Sequence, residues 1–132
     1  MIRNNPVVAF TGLALALCAS MPLLAHHSTA AEYDMSKTIT IQGTVTRLEW
    51  MNPHARLWVD TKNGDGTVAN WEVELPPPNF LKRMLGRPGE IVQQGDQVSV
   101  TLWRAKDGSL LGDALSMVFP DGHTMNFPAG WL

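Results

Sequence analysis

An alternation of apolar and polar residues, broken at short intervals by turn signals, is the sequence feature that most constrains the fold. Successive side chains of a β-strand point to opposite faces of a sheet, so this alternation predicts strands that each bury one face. Five such stretches lie between Thr38 and Phe119, and a short sixth follows Asp121-Gly122. The apolar positions that define the five stretches are Ile39, Ile41, Val45, Leu48 and Trp50; Ala55, Leu57 and Val59; Ala69, Trp71, Val73 and Leu75; Val98, Val100 and Leu102; and Leu115, Met117 and Phe119.

The segments between these stretches carry distinct structural signals. Asn63-Gly-Asp-Gly66 predicts a hairpin turn between the second and third strands. Three prolines, Pro76 to Pro78, stop the sheet, and Asn79 is predicted to cap a short helix that ends at Gly86. The alternation changes phase after Gly43, which predicts a bulge or a bend in the first strand.

The order of these elements indicates one fold class. Three strands, a short helix and two or more further strands, with a bent first strand, is the order of the OB-fold, a small Greek-key barrel. We therefore expect an all-β, OB-like β-barrel over residues 38–127, with one short helix between strands 3 and 4. An N-terminal segment, 26–37, would precede the barrel, and a tail, 128–132, would follow it. The apolar face of the helix, expected to pack on the core, consists of Phe80, Leu81, Met84 and Leu85.

The first 25 residues have the layout of a cleavable export signal. Arg3 precedes an uncharged apolar run from Val7 to Leu17, and Pro22 interrupts the apolar sequence just before Ala25. Such a run makes a helix of roughly 16 Å, about half of the hydrocarbon layer of a membrane, so no permanent membrane span is expected. The protein is predicted to be periplasmic or secreted through a Sec-type signal peptide.

The cleavage position decides how the mature chain begins. Cleavage after Ala25 follows a small residue and leaves His26 as the N-terminus, while Ser20 and Ala31 are the alternative positions. The remaining chain has the length of a single domain. The only cysteine, Cys18, lies within the predicted signal, so disulfides and thiol chemistry are excluded from the mature protein.

Charge and motifs argue against several functions. Without Arg3 the chain has nine basic and twelve acidic side chains, a net charge of −3, so no nucleic-acid partner is expected. The Gly-x-Ser-x-Gly, His-Glu-x-x-His and glycine-rich phosphate motifs are missing from the sequence. The carboxylates Glu49, Glu72 and Glu74 alternate along strands, as on a solvated face. The expectation is therefore a binding module that is not an enzyme.

The histidines carry the main functional hypothesis. His26 and His27 stand at the expected mature N-terminus, where the α-amine and the imidazole form a chelating pair. His54, in the loop between the first two strands, would be the further nitrogen ligand, and His123 is the second choice. Copper(II) prefers nitrogen and oxygen ligands in a tetragonal plane, so copper is the expected cofactor. The alternative is that His26 and His27 begin a floppy tail while His54 only makes hydrogen bonds in its turn.

A second hypothesis is a metal-free module that binds through an aromatic face of the barrel. Its residues would be Trp58 and Trp103 together with Arg56. Aromatic ring faces stack on planar or apolar surfaces, so a small ligand or a periplasmic protein would bind there. A copper-dependent oxidative enzyme is a third possibility, ranked last because the small domain offers no evident substrate platform.

Five short segments of the expected mature chain also form a family pattern. They are His26-His-Ser-Thr-Ala-Ala-Glu-Tyr-Asp34, Gly43-Thr-Val45, Glu49-Trp-Met-Asn-Pro-His54, Asn70-Trp-Glu-Val-Glu-Leu75 and Arg104-Ala-Lys-Asp-Gly-Ser109. In these segments the chain resembles a bacterial family of small exported proteins that is classed only as a domain of unknown function. The resemblance implies export, the barrel fold and a His-His-Ser start directly after the signal, and it implies no established activity. Family members commonly carry an aromatic residue where this chain has Arg56.

Overall fold

The computed structural model describes residues 29–86 and 92–129 of the chain. The predicted export signal, the His26 and His27 pair and the last three residues of the tail lie outside the described residues. Within the described ranges, no helix is both long enough and apolar enough to cross a membrane.

Six β-strands and two short helices form the described part of the chain. The all-β class is confirmed, with one helix between the third and fourth strands. A further helical turn, before the first strand, has no counterpart in the sequence prediction. In chain order the elements are α1 (Thr29–Glu32), β1 (Tyr33–Glu49), β2 (Arg56–Lys62), β3 (Val68–Glu74), α2 (Pro78–Leu85), β4 (Gln97–Ala105), β5 (Leu111–Val118) and β6 (Thr124–Asn126).

The strands close into a barrel. Their order in the sheet is β3-β2-β1-β4-β5-β6, and each neighbouring pair in this order is antiparallel. A parallel pairing of Glu72–Glu74 with Leu111–Asp113 then joins β3 to β5 and closes the ring. Five strands closed in this order, with a helix between the third and fourth, form the OB-like barrel that the sequence predicted.

β1 pairs with both β4 and β2 because it bends in its middle. Its first half pairs with β4 as far as Thr44, and from Thr44 onwards it pairs with β2. Next to this point, a Cβ atom on Gly43 would lie 2.0 Å from the carbonyl oxygen of Asp60, so only glycine fits. The ladder with β2 then shifts between Val45 and Arg47, which confirms the bulge predicted after Gly43.

The predicted start of β1 at Thr38 is wrong. The strand begins at Tyr33, and its ladder with β4 is interrupted between Tyr33 and Thr38. In the interruption, the Asp34 carboxylate accepts hydrogen bonds from the backbone N–H and the hydroxyl of Ser36. This polar, exposed segment has no apolar alternation, and the sequence pattern therefore missed the first part of the strand.

The predicted cap of helix α2 is also wrong. The helix begins at Pro78 with Pro77 in the N-cap position, and Asn79 lies inside the first turn. Proline suits the first helical position because its fixed φ matches the helix and its missing N–H has no partner there. At the other end Gly86 has a φ of +89° and donates its N–H to the carbonyl oxygen of Lys82, which confirms the predicted stop.

The predicted apolar face of α2 is only partly correct. Leu81 is buried in the core, and Phe80 and Leu85 pack at its edge, but 56% of Met84 is exposed. The helix has only eight residues, and Leu81 and Leu85, four positions apart, occupy the narrow stripe that faces the barrel. Met84 lies beside that stripe, on the solvent side.

The interior of the barrel is filled by the inward side chains of β1 to β5 and by residues of the connecting segments. Removal of this apolar surface from water is the main favourable term for folding, because a chain with a single cysteine forms no disulfide within itself. Met117, predicted to face the core, is confirmed there. The buried cluster consists of Ile41, Val45, Ala55, Leu57, Val59, Trp71, Val73, Leu75, Leu81, Val92, Val98, Val100, Leu102, Ala114, Met117, Phe119 and Phe127.

A second, smaller cluster lies where β1 begins and β4 ends. It consists of Tyr33, Trp103 and Ala105, and Leu111 and Leu115 pack against it. Through this cluster the start of β1 is attached to β4 and β5.

The close approach at Gly43 can be tested with a matched pair of variants. Gly43→Ala should lower the free energy of unfolding by about 3 kcal/mol, because the backbone of β1 or β2 must move to admit the methyl group. In Gly64→Ala the new Cβ has no atom within 4 Å, so this control should change stability by less than about 0.5 kcal/mol. Urea unfolding followed by tryptophan fluorescence measures both, and equal losses would contradict the close approach.

Candidate functional site

One end of the barrel brings together ionisable side chains from several elements. The strand register places Arg56 of β2 opposite Glu74 of β3, and Glu74 opposite Asp113 of β5. Tyr33 begins β1, and His54 lies in the loop just before β2. We refer to these five residues as the Glu74 cluster.

Glu74 is the centre of this cluster. It is 8% exposed, and its Oε2 accepts a hydrogen bond of 2.8 Å from the Tyr33 hydroxyl. Nη2 of Arg56 is 3.5 Å from the other carboxylate oxygen, Oε1, while Nη1 of Arg56 lies 2.6 Å from Glu72. A buried carboxylate is stable only with such partners, so Glu74 links the starts of β1 and β2 to the end of β3.

The sequence placed Glu74 on a solvated face, and that prediction is wrong. The alternation along β3 assigns one face to water, but the last residues of the strand are covered because β5 pairs with them. The consequence is that Val73 and Glu74, on opposite faces of the strand, are both buried. Glu72 and Glu49 are half-buried.

Tyr33 acts as a permanent hydrogen-bond donor to Glu74. It is fully buried, and burial together with the nearby negative charge of Glu74 raises the pKa of its phenol far above the ordinary value. The hydroxyl therefore keeps its proton at neutral pH.

Asp113 is the least exposed charged residue of the described chain, at 1%. Its Oδ1 atom has no hydrogen-bond partner among the described residues. Burial raises the pKa of this carboxyl to about 7, with further contributions from the negative charges of Glu74 and Glu32. Near neutral pH, Asp113 therefore exchanges between a protonated and an ionised form.

His54 is held close to the end of β3. Backbone hydrogen bonds join its neighbour Ala55 to that segment: Leu75 donates to the Ala55 carbonyl at 2.9 Å, and Ala55 donates to Pro76 at 3.4 Å. Burial lowers the pKa of the His54 imidazole, Glu74 acts in the opposite direction, and Arg56 lowers it further. The imidazole is consequently neutral at pH 7, which is the form that binds metal ions.

Residues Thr29–Tyr33, which we call the N-terminal arm, are docked on the same end of the barrel. Thr29 is buried, and the backbone N–H of Lys106 donates to the carbonyl oxygen of Glu32 at 2.9 Å. The Lys106 ammonium donates to the carbonyl oxygen of Ala30. With the Tyr33 hydrogen bond, these contacts attach the arm to the turn after β4 and to β3.

His123 lies away from the other predicted ligands. Its ring stacks on Phe119 with centroids 4.3 Å apart, and its Nδ1 contacts the Asp121 carboxylate in the turn between β5 and β6. That turn follows the end of β5, whereas Asp113 is near the start of the same strand. The fold therefore does not bring His123 to His54.

The metal prediction rests partly on residues that the structure does not describe. His26 and His27 lie outside the described ranges. Within 29–86 and 92–129 no group of three or more His, Cys, Asp or Glu side chains is arranged to hold a metal ion. Two of the predicted copper ligands, His54 and His123, lie in the described ranges, and of these two only His54 belongs to the Glu74 cluster.

The predicted aromatic face is divided between two environments. Arg56 and Trp58, two positions apart on β2, share one half-exposed face. The guanidinium carbon of Arg47 lies 3.7 Å from the centre of the Trp58 ring, and Arg47 also pairs with Glu49 at 3.2 Å. Trp103 is 8% exposed and belongs to the small cluster around Tyr33, away from that face.

Two residues of the Glu74 cluster, Tyr33 and Asp113, were not selected from the sequence. Asp113 does carry a signal, since it stands among apolar residues just before the predicted fifth strand, where a carboxyl is unusual. Tyr33 carries no comparable signal because it lies before the recognisable alternation.

The fold and this site define a small OB-like barrel with a buried carboxyl pair at one end. The sequence matches a family of unknown function (DUF6152) over residues 14–114, and the chain belongs to this family. This confirms the resemblance to a domain of unknown function.

No curated protein matches the sequence. Among solved structures, a crystal structure of a mitochondrial single-stranded DNA-binding protein from S. cerevisiae is similar, with 12% identity and a TM-score of 0.49. The similarity covers 70% of this chain and 96% of the yeast chain.

The hydrogen bond at the centre of the cluster can be tested by Tyr33→Phe. Removal of the hydroxyl leaves a buried carboxylate short of a donor, so the free energy of unfolding should fall by about 2 kcal/mol. Thr40→Val is the control, since it removes a hydroxyl from an exposed pair with Thr101 and should cost less than about 0.5 kcal/mol. Equal effects in urea unfolding would contradict the assigned role of Tyr33.

Proposed function

We propose that this protein is an exported binding module that holds copper(II) between its mature N-terminus and His54. The observation that supports the proposal most is the docking of the N-terminal arm. The 2.8 Å hydrogen bond from Tyr33 to Glu74 fixes the arm at the end of the barrel that carries His54. The arm follows His26, His27 and Ser28 directly in the sequence.

Chain length makes the arrangement feasible. A residue spans at most about 3.6 Å of extended chain, so His27 lies within roughly 7 Å of Thr29. His26, which carries the α-amine and the other imidazole, is only one residue further from Thr29 along the chain. After cleavage at Ala25 both groups are therefore within reach of the barrel end that carries the Glu74 cluster.

The chemistry of the ligands also fits copper(II). The N-terminal amine and imidazole supply two nitrogens, and the neutral His54 imidazole supplies a third, as a tetragonal site prefers. Burial lowers the pKa of His54, and the carboxylate of Glu74 opposes that lowering, so its negative charge acts at this end of the barrel and would favour a bound cation. Export of the chain and the His-His-Ser start remain part of the same proposal, because only a processed N-terminus exposes the amine.

A second candidate function is metal-free binding of a small ligand or a periplasmic protein by the face around Trp58. The half-exposed Trp58 ring, with Arg47 against it and Arg56 on the same face, favours this alternative. A change in tryptophan fluorescence when ligand is added in the presence of a metal chelator, lost in Trp58→Phe, would support this alternative over copper.

The copper proposal is tested with protein whose N-terminus is verified as His26 by mass spectrometry. Titration with copper(II) should give one bound equivalent with a nitrogen-rich electron paramagnetic resonance spectrum. His54→Ala should change that spectrum and weaken binding by at least about tenfold, because it removes one of the nitrogen ligands. His123→Ala is the matched control, since His123 lies at the other end of β5, and should bind as the wild type does.

A change at the N-terminal α-amine provides an independent test of the copper proposal. A protein with one extra residue before His26 retains every side chain but no longer has the terminal amine and an imidazole on the same residue, so its spectrum should change as well. A spectrum that is the same in the wild type, in His54→Ala and in the extended protein would contradict the proposal. Circular dichroism of each protein verifies that the barrel is folded.

A further inference from the structure

The buried carboxyls of Glu74 and Asp113 lie side by side under the N-terminal arm. They occupy opposed positions in the parallel ladder of β3 and β5, where neighbouring strands are about 4.8 Å apart, and opposed residues point to the same face of a sheet. Tyr33, fully buried, contacts Glu74 from the arm, and the charge of Glu32 at the end of α1 also acts on Asp113. The arm is therefore part of what separates this carboxyl pair from water.

We infer that Asp113 is a proton-controlled clamp for the N-terminal arm: the arm stays docked while Asp113 carries a proton, and it detaches when this carboxyl ionises. The inference requires no metal and is independent of the proposed copper site.

The charged groups around Asp113 favour the protonated form. Glu74 faces it from β3 and Glu32 faces it from α1, and both are acidic. The Tyr33 hydroxyl is neutral and is already donated to Glu74. An ionised Asp113 therefore adds a further negative charge to a buried acidic group.

The basic groups of the neighbouring elements have other partners. Arg56 pairs with Glu72 and Glu74, and Lys106 bonds to the arm through the carbonyl oxygen of Ala30. Arg104 of β4 donates to the carbonyl oxygens of Gly108 and Ser109. Among the described residues, none of these cations forms an ion pair with Asp113.

Detachment of the arm would relieve the repulsion. When the arm detaches, water reaches Asp113 and Glu74, and Glu32 moves away from both carboxyls. A solvated carboxylate costs far less than a buried one, so the detached state binds the Asp113 proton much more weakly than the docked state.

The direction of the pH dependence follows from the two pKa values. Asp113 has a pKa of about 7 when docked, and its ordinary value is 3.8. The docked state thus binds the proton more tightly, so docking is strongest below pH 4 and is lost as the pH rises through about 7. Between pH 5 and pH 8 the docking equilibrium should fall roughly a hundredfold, and above pH 8 it should change little.

Hydrogen exchange at the Lys106 amide tests the inference, because this N–H donates to Glu32 of the arm. The measurement uses the metal-free processed protein with a chelator, so failure of the copper proposal does not affect it. After correction for the intrinsic rate, protection of this amide should fall roughly a hundredfold from pH 5 to pH 8. The amide of Val59, in the middle of β2, is the control and should show a much smaller change.

Two further measurements make the result decisive. Asp113→Asn should retain protection of the Lys106 amide at both pH values, because its side chain cannot ionise. In the wild type, carbon-13 resonances of the Asp113 carboxyl should titrate with a midpoint near 7, and protection of the Lys106 amide should stop falling just above that pH. A carboxyl midpoint near 4, or the same pH dependence in the wild type and in Asp113→Asn, would overturn the inference, and the carboxyl titration alone decides it if the variant does not fold.

Discussion

The parallel pairing of β3 with β5 is the contact on which the rest of the structure depends. Only three residues of each strand take part, Glu72–Glu74 and Leu111–Asp113, yet they turn an open sheet into a closed barrel. Closure removes the two exposed sheet edges at this end and covers the apolar side chains inside. It also forces two carboxyl side chains into adjacent buried positions, and the surrounding contacts compensate for that cost.

The compensation comes from parts of the chain far apart in sequence. Glu74 receives a hydrogen bond from Tyr33, at the start of β1, and lies beside Arg56, at the start of β2. Asp113 has no such partner among the described residues, and its raised pKa reflects that difference. One carboxyl of the pair thus has a hydrogen-bond donor and a cation beside it, while burial raises the pKa of the other, Asp113.

Much of the barrel was predictable from the sequence because its signals are local. The alternation gave the strands, Asn63–Gly66 gave the hairpin turn, and the phase change after Gly43 gave the bulge. The order of elements then pointed to the OB-like arrangement. These features depend on residues within a few positions of one another, and the closed barrel preserves each of them.

The candidate site was less predictable because it depends on long-range contacts. From the alternation along β3, Glu74 is predicted to face solvent. The pairing with β5 and the contact with Tyr33 of the N-terminal arm bury it. Tyr33 lies before the polar interruption at Asp34, so no pattern extends to it. His54 was correctly identified as a loop histidine, but its position beside the end of β3 follows from the closed barrel and from the backbone bonds of Ala55.

The two proposals set opposite pH limits on the same end of the barrel. Metal ligation by His54 and the terminal amine requires deprotonated nitrogens, so it is favoured as the pH rises. Docking of the arm that would carry the amine requires a proton on Asp113, so it is favoured as the pH falls. For the imidazole, the lowered pKa of His54 reconciles the two requirements, because a neutral imidazole then coexists with a protonated Asp113 just below pH 7. The burial that raises the pKa of Asp113 and lowers that of His54 therefore widens the pH range in which a docked arm and a metal-competent histidine are present together.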